Sequence, residues 1–184
     1  MKRVVLMLAE GFEEIEAIVP ADVMRRAGLD LKLVSVTGQR EVAGSHDIRV
    51  MADVLFEEVD FSRVDLVVLP GGMPGASHLD AHEGVRRVIT EMVHSGRLLG
   101  AICAAPMVPG HLGLLDKRKA TCFPGFETHL YGARLTGEAV VVDGPLVTAN
   151  GAGGALPFAL KLVEQLLGSE VAHQTAHKMM VPGY

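Results

Sequence analysis

Tryptophan is missing from this 184-residue chain, aromatic residues make up 4% of it, and it has two cysteines. With so few rings, the interior must be built from Val, Leu, Ile, Ala and Met, the usual filling of a sheet covered by helices on both faces. Cys103 and Cys122 form neither a CxxC nor a Cys/His pattern at zinc spacing. That argues against a metal or disulfide framework and for free thiols in a reducing compartment. Nothing in the chain approaches the roughly 20 apolar residues of a membrane span. The opening "MKRVVLMLAEGFEE" has too short an apolar run and too early an acidic cluster for a secretory signal. A cytoplasmic protein with no membrane partner is expected. Seventeen basic against twenty-two acidic residues give a net charge of -5 with no Lys/Arg block, so a nucleic-acid footprint is also lacking. Small molecules are the expected partners, and no motif for a metal or organic cofactor is present.

What the chain does have is 49% hydrophobic residues and enough length to bury roughly 70% of its unfolded surface. Short continuous apolar runs at 3–9, 64–72 and 97–103 read as buried parallel strands. An alternating run at 29–36 adds another strand, and "KATCF" at 119–123 one more. Between them, "EEIEAIVPADVMRRAG" carries Ile15, Ile18, Val19, Val23, Met24 and Ala27 at helical spacing, with Gly28 as its cap and Pro20 as a possible kink. Residues 82–96 place Val85, Val88, Ile89, Met92 and Val93 on one helical face. A short helix follows at 104–115, a small hairpin is expected around Ala43 and Gly44, and a second around "DG" in "EAVVVDGPLVTAN". Helices at 154–168 and 170–180 close the chain. The alternation predicts one α/β domain over residues 1–184, with right-handed βαβ units.

In such sheets ligands bind outside the carboxyl ends of the strands, and three segments meet there: "AEGFEEIE", "LPGGMPG" and "AICAAP". Cys103 lies in the strand-to-helix turn of the last, flanked by small residues, as a nucleophile elbow requires. Amides at the start of the next helix favour thiolate, which predicts a pKa below the free value of about 8.5. A cysteine at an arbitrary position is more often a small core hydrophobe; the strand end favours the reactive reading. Gly71 and Gly72 end a neighbouring strand with N–H groups available, beside that of Ala104, for a developing oxyanion; alone they also fit a tight turn. Glu13, Glu14 and Glu16 suit a first helical turn as solvated charges. Glu16 borders the apolar stripe, and if turned toward the thiol it would stay protonated and shuttle a proton.

"LMLAEGFEEIEAIVPADVMRRAG", "VVLPGGMPGA", "GAICAAP" and "NGAGGALPFALKLVEQLLG" resemble, in order and spacing, the DJ-one/ThiJ/PfpI family, nearest the branch of the Parkinsonism-associated deglycase and YajL. The resemblance implies a flavodoxin-like three-layer sandwich with a mostly parallel central sheet, and a homodimer. It implies a reactive cysteine at Cys103, a protonated glutamate at Glu16, and amides of Gly72 and Ala104 facing the thiol. Phe123 stands where several relatives have a histidine, as in YajL-like members. His46 stands where relatives contribute an arginine near the partner's thiol, while Arg26 is retained; both are expected near the dimer contact and a possible anion site. Relatives with peptidase activity carry histidine directly after the cysteine, and here that residue is Ala104. The implied function is a glutathione-independent glyoxalase or deglycase acting on small aldehydes such as methylglyoxal, or on glycated amines and thiols. The rival is a redox sensor or chaperone that works by oxidation of Cys103, with Cys122 in the adjacent strand as a resolving thiol; a PfpI-type peptidase or amidase fits less well.

Overall fold

The computed structural model describes residues 1–183. In chain order it contains β1 (Arg3–Leu8), α1 (Glu14–Arg26), β2 (Asp30–Ser35), β3 (Glu41–Ala43), β4 (Arg49–Met51), β5 (Val54–Leu55), β6 (Leu66–Leu69), α2 (Gly75–Ala81), α3 (Glu83–His94), β7 (Leu98–Ile102) and α4 (Met107–His111). Then follow β8 (Lys119–Ala120), β9 (Arg134–Leu135), β10 (Val140–Asp143), β11 (Leu146–Ala149), α5 (Ala155–Leu167) and α6 (Ser169–Lys178). Seven strands form the central sheet in the order β10-β11-β7-β6-β1-β2-β5. Every neighbouring pair is parallel except the β10/β11 hairpin. This is the flavodoxin-like α/β arrangement the sequence implied.

The two-residue period of the strands divides their side chains between two cores. Val5, Met7, Val67 and Leu69 face one, where Val85, Val88, Ile89 and Met92 of α3 cover them. Leu6, Leu8, Leu66 and Val68 face the other, beneath Val23 and Met24 of α1 and Phe158, Leu162 and Val163 of α5. Each fully buried Leu or Phe of this kind contributes roughly 1.5–3 kcal/mol relative to exposure. The stripe expected for α3 is buried in full, and the hairpin expected at 41–53 forms as the antiparallel pair β3/β4.

Three readings need correction. In α1, Val23 and Met24 are buried, but Ile15 and Ile18 are 50% and 40% exposed, and Glu14 and Glu16 lie inside instead. The first turn of α1 packs over a polar site and not over the core, so hydropathy misassigns its face. The helix runs through Pro20 without a break; the proline has no N–H for the carbonyl of Glu16, four residues back. "KATCF" yields only the two residues of β8, paired with β9 outside the central sheet, and Cys122 lies beyond the strand's end. The Pro/Gly-rich segment after β6 contains α2, which the turn residues concealed.

Candidate active site

Strands β1, β6 and β7 end side by side, and the loops leaving them converge on Cys103. The Cys103 N–H donates to the carbonyl of Ala149 at 2.8 Å, extending the β7/β11 ladder by one step. The chain then turns sharply: Cys103 has φ +64°, in the left-handed region that a non-glycine residue rarely enters. Its own carbonyl accepts from the N–H of Phe123 at 2.8 Å. Backbone bonds on both sides thus hold the strained residue in place, as in a nucleophile elbow.

Glu16, 1% exposed, reaches the same point from α1. Its carboxyl group is hydrogen-bonded to the Cys103 thiol, and its Oε2 accepts from the Gly71 N–H at 2.9 Å. Gly71 is therefore placed at the site but not as expected: its amide serves the carboxyl group and is not free for an oxyanion. There is no room for a side chain there, since a Cβ would lie 2.6 Å from Glu16 Oε2 and 2.7 Å from Cys103 Cβ. The N–H groups of Gly72 and Ala104 do face the sulfur.

Burial pushes the Glu16 carboxyl up to about 7, aided by the charge of Glu13 and opposed by the hydrogen bonds with Cys103 and Gly71. Burial likewise pushes the Cys103 thiol up to about 12, reinforced by the charge and hydrogen bond of Glu16 and opposed by the amides of Ala104 and Gly72. The amides act in the direction expected from the sequence, but burial beside a carboxyl group outweighs them, so the simple expectation of a lowered thiol is overturned. Two protons leave one hydrogen-bonded pair, the first at about 7 and the second held up to about 12. Between those limits the pair holds one proton and one negative charge. Charge on sulfur meets two amides; charge on the carboxylate meets one.

The other expected residues are placed less centrally. Arg26 ends α1, roughly 15 Å along the helix from Glu16, where its Nε donates to Asp22 at 2.6 Å on an exposed surface. It does not enter the crevice. His46 sits 2.9 Å from Glu14 Oε2 and 3.4 Å from Glu13 Oε2, and the hydrogen bond to Glu14 raises its pKa. Its charge is thus answered by carboxylates before it meets any anion. Burial works to raise Glu14, but the bonds from the side chain and backbone of His46 prevail and hold it at about 2. Glu13, Glu14 and His46 bring ligand atoms within 4.8 Å of one another, the one such grouping among the described residues. Mutual hydrogen bonds with Ser45 already occupy those atoms.

Cys122 belongs to the core opposite the one against which Cys103 packs. It opens on a separate cavity of about 220 Å³ beside Glu127 and Asn150, and burial pushes its thiol up to about 11. Its placement does not support a resolving role. The contribution of Phe123 was not legible, because a backbone N–H leaves no mark in the residue type.

Residues 2–165 match the DJ-1/PfpI family. The chain belongs to that family. It is 38% identical over 182 residues to Protein DJ-1 homolog B of Arabidopsis thaliana, covering 98% of this chain and 42% of the plant protein. The chain therefore spans less than half of that relative. It is 34% identical over 168 residues to Glutathione-independent glyoxalase DJR-1.2 of Caenorhabditis elegans, covering 90% of this chain and 89% of that one. Among solved structures, oxidized Toxoplasma gondii DJ-1 superposes with a TM-score of 0.95 at 33% identity, covering 99% of this chain and 100% of that one. Family membership leaves this member's substrate to its own residues.

Proposed function

We propose that this DJ-1/PfpI member is a cysteine-dependent, glutathione-independent glyoxalase or deglycase acting on small reactive aldehydes such as methylglyoxal. The observation that carries the reading is the hydrogen-bonded pair of Cys103 and Glu16 facing the amides of Gly72 and Ala104. With the proton on Glu16, the Cys103 sulfur attacks the aldehyde carbon; a C–S bond forms and the carbonyl pair moves onto oxygen. The Gly72 and Ala104 amides receive that oxyanion, and Glu16 supplies its proton. Glu16, now a carboxylate, takes the proton from the former aldehyde carbon and returns it to the neighbouring carbonyl carbon, while the proton of the newly formed hydroxyl passes to the neighbouring oxygen. The product is a thioester of a 2-hydroxy acid. Water cleaves the C–S bond, releasing lactate and the thiol, so the net change is addition of one water with no external oxidant. Deglycation begins with the same addition to an early glycated amine or thiol.

A redox-sensing reading uses the same pair: a protonated Glu16 donates to an oxidised Cys103 sulfur. Lactate formation from methylglyoxal without glutathione separates the two readings. Cys103→Ser abolishes turnover, and Glu16→Gln, which removes the shuttle, lowers it roughly 10²- to 10⁴-fold. No lactate from the wild-type protein, with peroxide adding mass at Cys103, would favour the sensor. The same proposal includes a cytoplasmic setting, suited to two free thiols, and a homodimer formed through the exposed apolar face of α1. No helix among the described residues is long and apolar enough to cross a membrane.

A further inference from the structure

We propose that Asp80, His111 and His129 form a clamp that positions Cys103 and its amide donors, an inference that rests on the aldehyde chemistry above for its functional meaning. The three side chains make one hydrogen-bonded chain. His111 Nδ1 lies 2.9 Å from Asp80 Oδ2, and His111 Nε2 lies 2.9 Å from His129 Nδ1. Arg86 Nη1 donates to the other Asp80 oxygen at 2.8 Å. With Asp80 as an anion, His111 donates to it from Nδ1; a neutral His111 ring then accepts at Nε2, and His129 donates from its own Nδ1.

Each member ends a segment that begins at the reacting sulfur. Asp80 lies in α2, which follows Gly72. His111 ends α4, which follows Cys103 and Ala104. His129 ends the short 3-10 helix Glu127–His129, which follows Phe123, the donor to the Cys103 carbonyl. The far ends of the three loops are thus joined at one point. Ring contacts run back from it, His111 to His129 at 5.0 Å, His129 to Phe126 at 5.8 Å and Phe126 to Phe123 at 6.5 Å. Gly110 completes the join: a Cβ there would meet the His129 carbonyl and lie 2.9 Å from Leu130 Cα, so only glycine lets this segment seat against α4. None of these residues touches the sulfur; they act through the backbone that does.

The test uses the full chain with three readouts: Cys103 alkylation by iodoacetamide at neutral pH, amide exchange of the segment containing Phe123, and methylglyoxal turnover. His129→Leu is expected to slow alkylation and lower kcat by about tenfold, as displaced donors stabilise less thiolate and fit the oxyanion less well. KM should stay within about twofold, and exchange at Phe123 should quicken. His129→Asn, whose carboxamide N–H replaces the Nδ1–H, should restore all three to within about twofold; a role in bulk stability alone would not distinguish Asn from Leu. If His129→Leu does not fold, Asp80→Asn carries the comparison, with the same directions and smaller size. Unchanged or faster alkylation with unchanged exchange in His129→Leu overturns the clamp, as does an Asn variant no better than Leu. Absence of lactate from the wild-type protein sinks the aldehyde reading, while alkylation and exchange still decide the clamp.

Discussion

Cys103 and Glu16 act as one titrating unit, and two measurable consequences follow at the scale of single side chains. Because the pair releases its first proton at about 7 and charge shared onto the sulfur meets the amides of Gly72 and Ala104, Cys103 alkylation should accelerate as pH rises through about 7, while Cys122, whose thiol both burial and the Glu127 charge raise and which has no such amides, stays slow. Peptide mass spectrometry after a timed iodoacetamide pulse reads both; equal labelling would contradict the elbow. The second consequence is thermodynamic. Glu16 is raised from 4.5 to about 7, so the folded state holds a proton that the unfolded state gives up earlier. The stability this supplies is full below about 4.5 and is lost as pH climbs through 7. A neutral glutamine has no such dependence. Glu16→Gln should therefore gain on wild type by roughly 3 kcal/mol between pH about 4 and about 8, read as the change in urea midpoint difference. A constant difference would mean that Glu16 titrates in the fold at its ordinary value of 4.5.

At the scale of elements, the site depends on backbones approaching more closely than side chains allow. Gly71→Ala would drive a Cβ against Glu16 Oε2, Cys103 Cβ and the Ile102 carbonyl, the last at 2.9 Å. The expected cost is about 2 kcal/mol or more, with loss of the alkylation step near pH 7, measured by thermal melting and the same pulse. Periodicity gave α3 with its buried stripe, the β10/β11 turn, and β1, β6 and β7 as buried strands, because burial on two faces writes itself into residue type. It failed for the first turn of α1, where Glu14 accepts from the His46 and Ile48 N–H groups at 2.7 and 3.4 Å and Glu16 faces the thiol. Polar side chains there are buried for their partners, and Ile15 and Ile18 are left outside. It failed again at α2, a helix of seven residues too short to show a period. Cys103 was legible from its place after β7, and Glu16 from its place beside the stripe. The use of the Gly71 amide by Glu16 was not, since it joins residues 55 apart through a main-chain atom.

For the whole molecule, the exposed apolar residues predict assembly. Ile15, Ile18, Ile48 and Met51 are 50%, 40%, 56% and 62% exposed, with the ones on α1 next to the Glu14-anchored loop that carries Ile48. Sedimentation at micromolar concentration should show a dimer, and Ile18→Asp should shift it to monomer because a charge would be desolvated in a two-fold contact. A wild-type monomer would remove that assembly. The margins of the central sheet face a different hazard. At one border β5 is two residues long. At the other, the Asp143 carboxylate accepts from the Lys119 N–H at 2.8 Å and the Asp143 carbonyl takes a contact from Arg118 at 3.5 Å, so β8 and its approach lie over the end of β10. Neither border offers a long row of unpaired N–H and C=O groups on which a stray extended peptide can grow. The central sheet is thereby shielded from recruiting damaged neighbours strand by strand into fibrils.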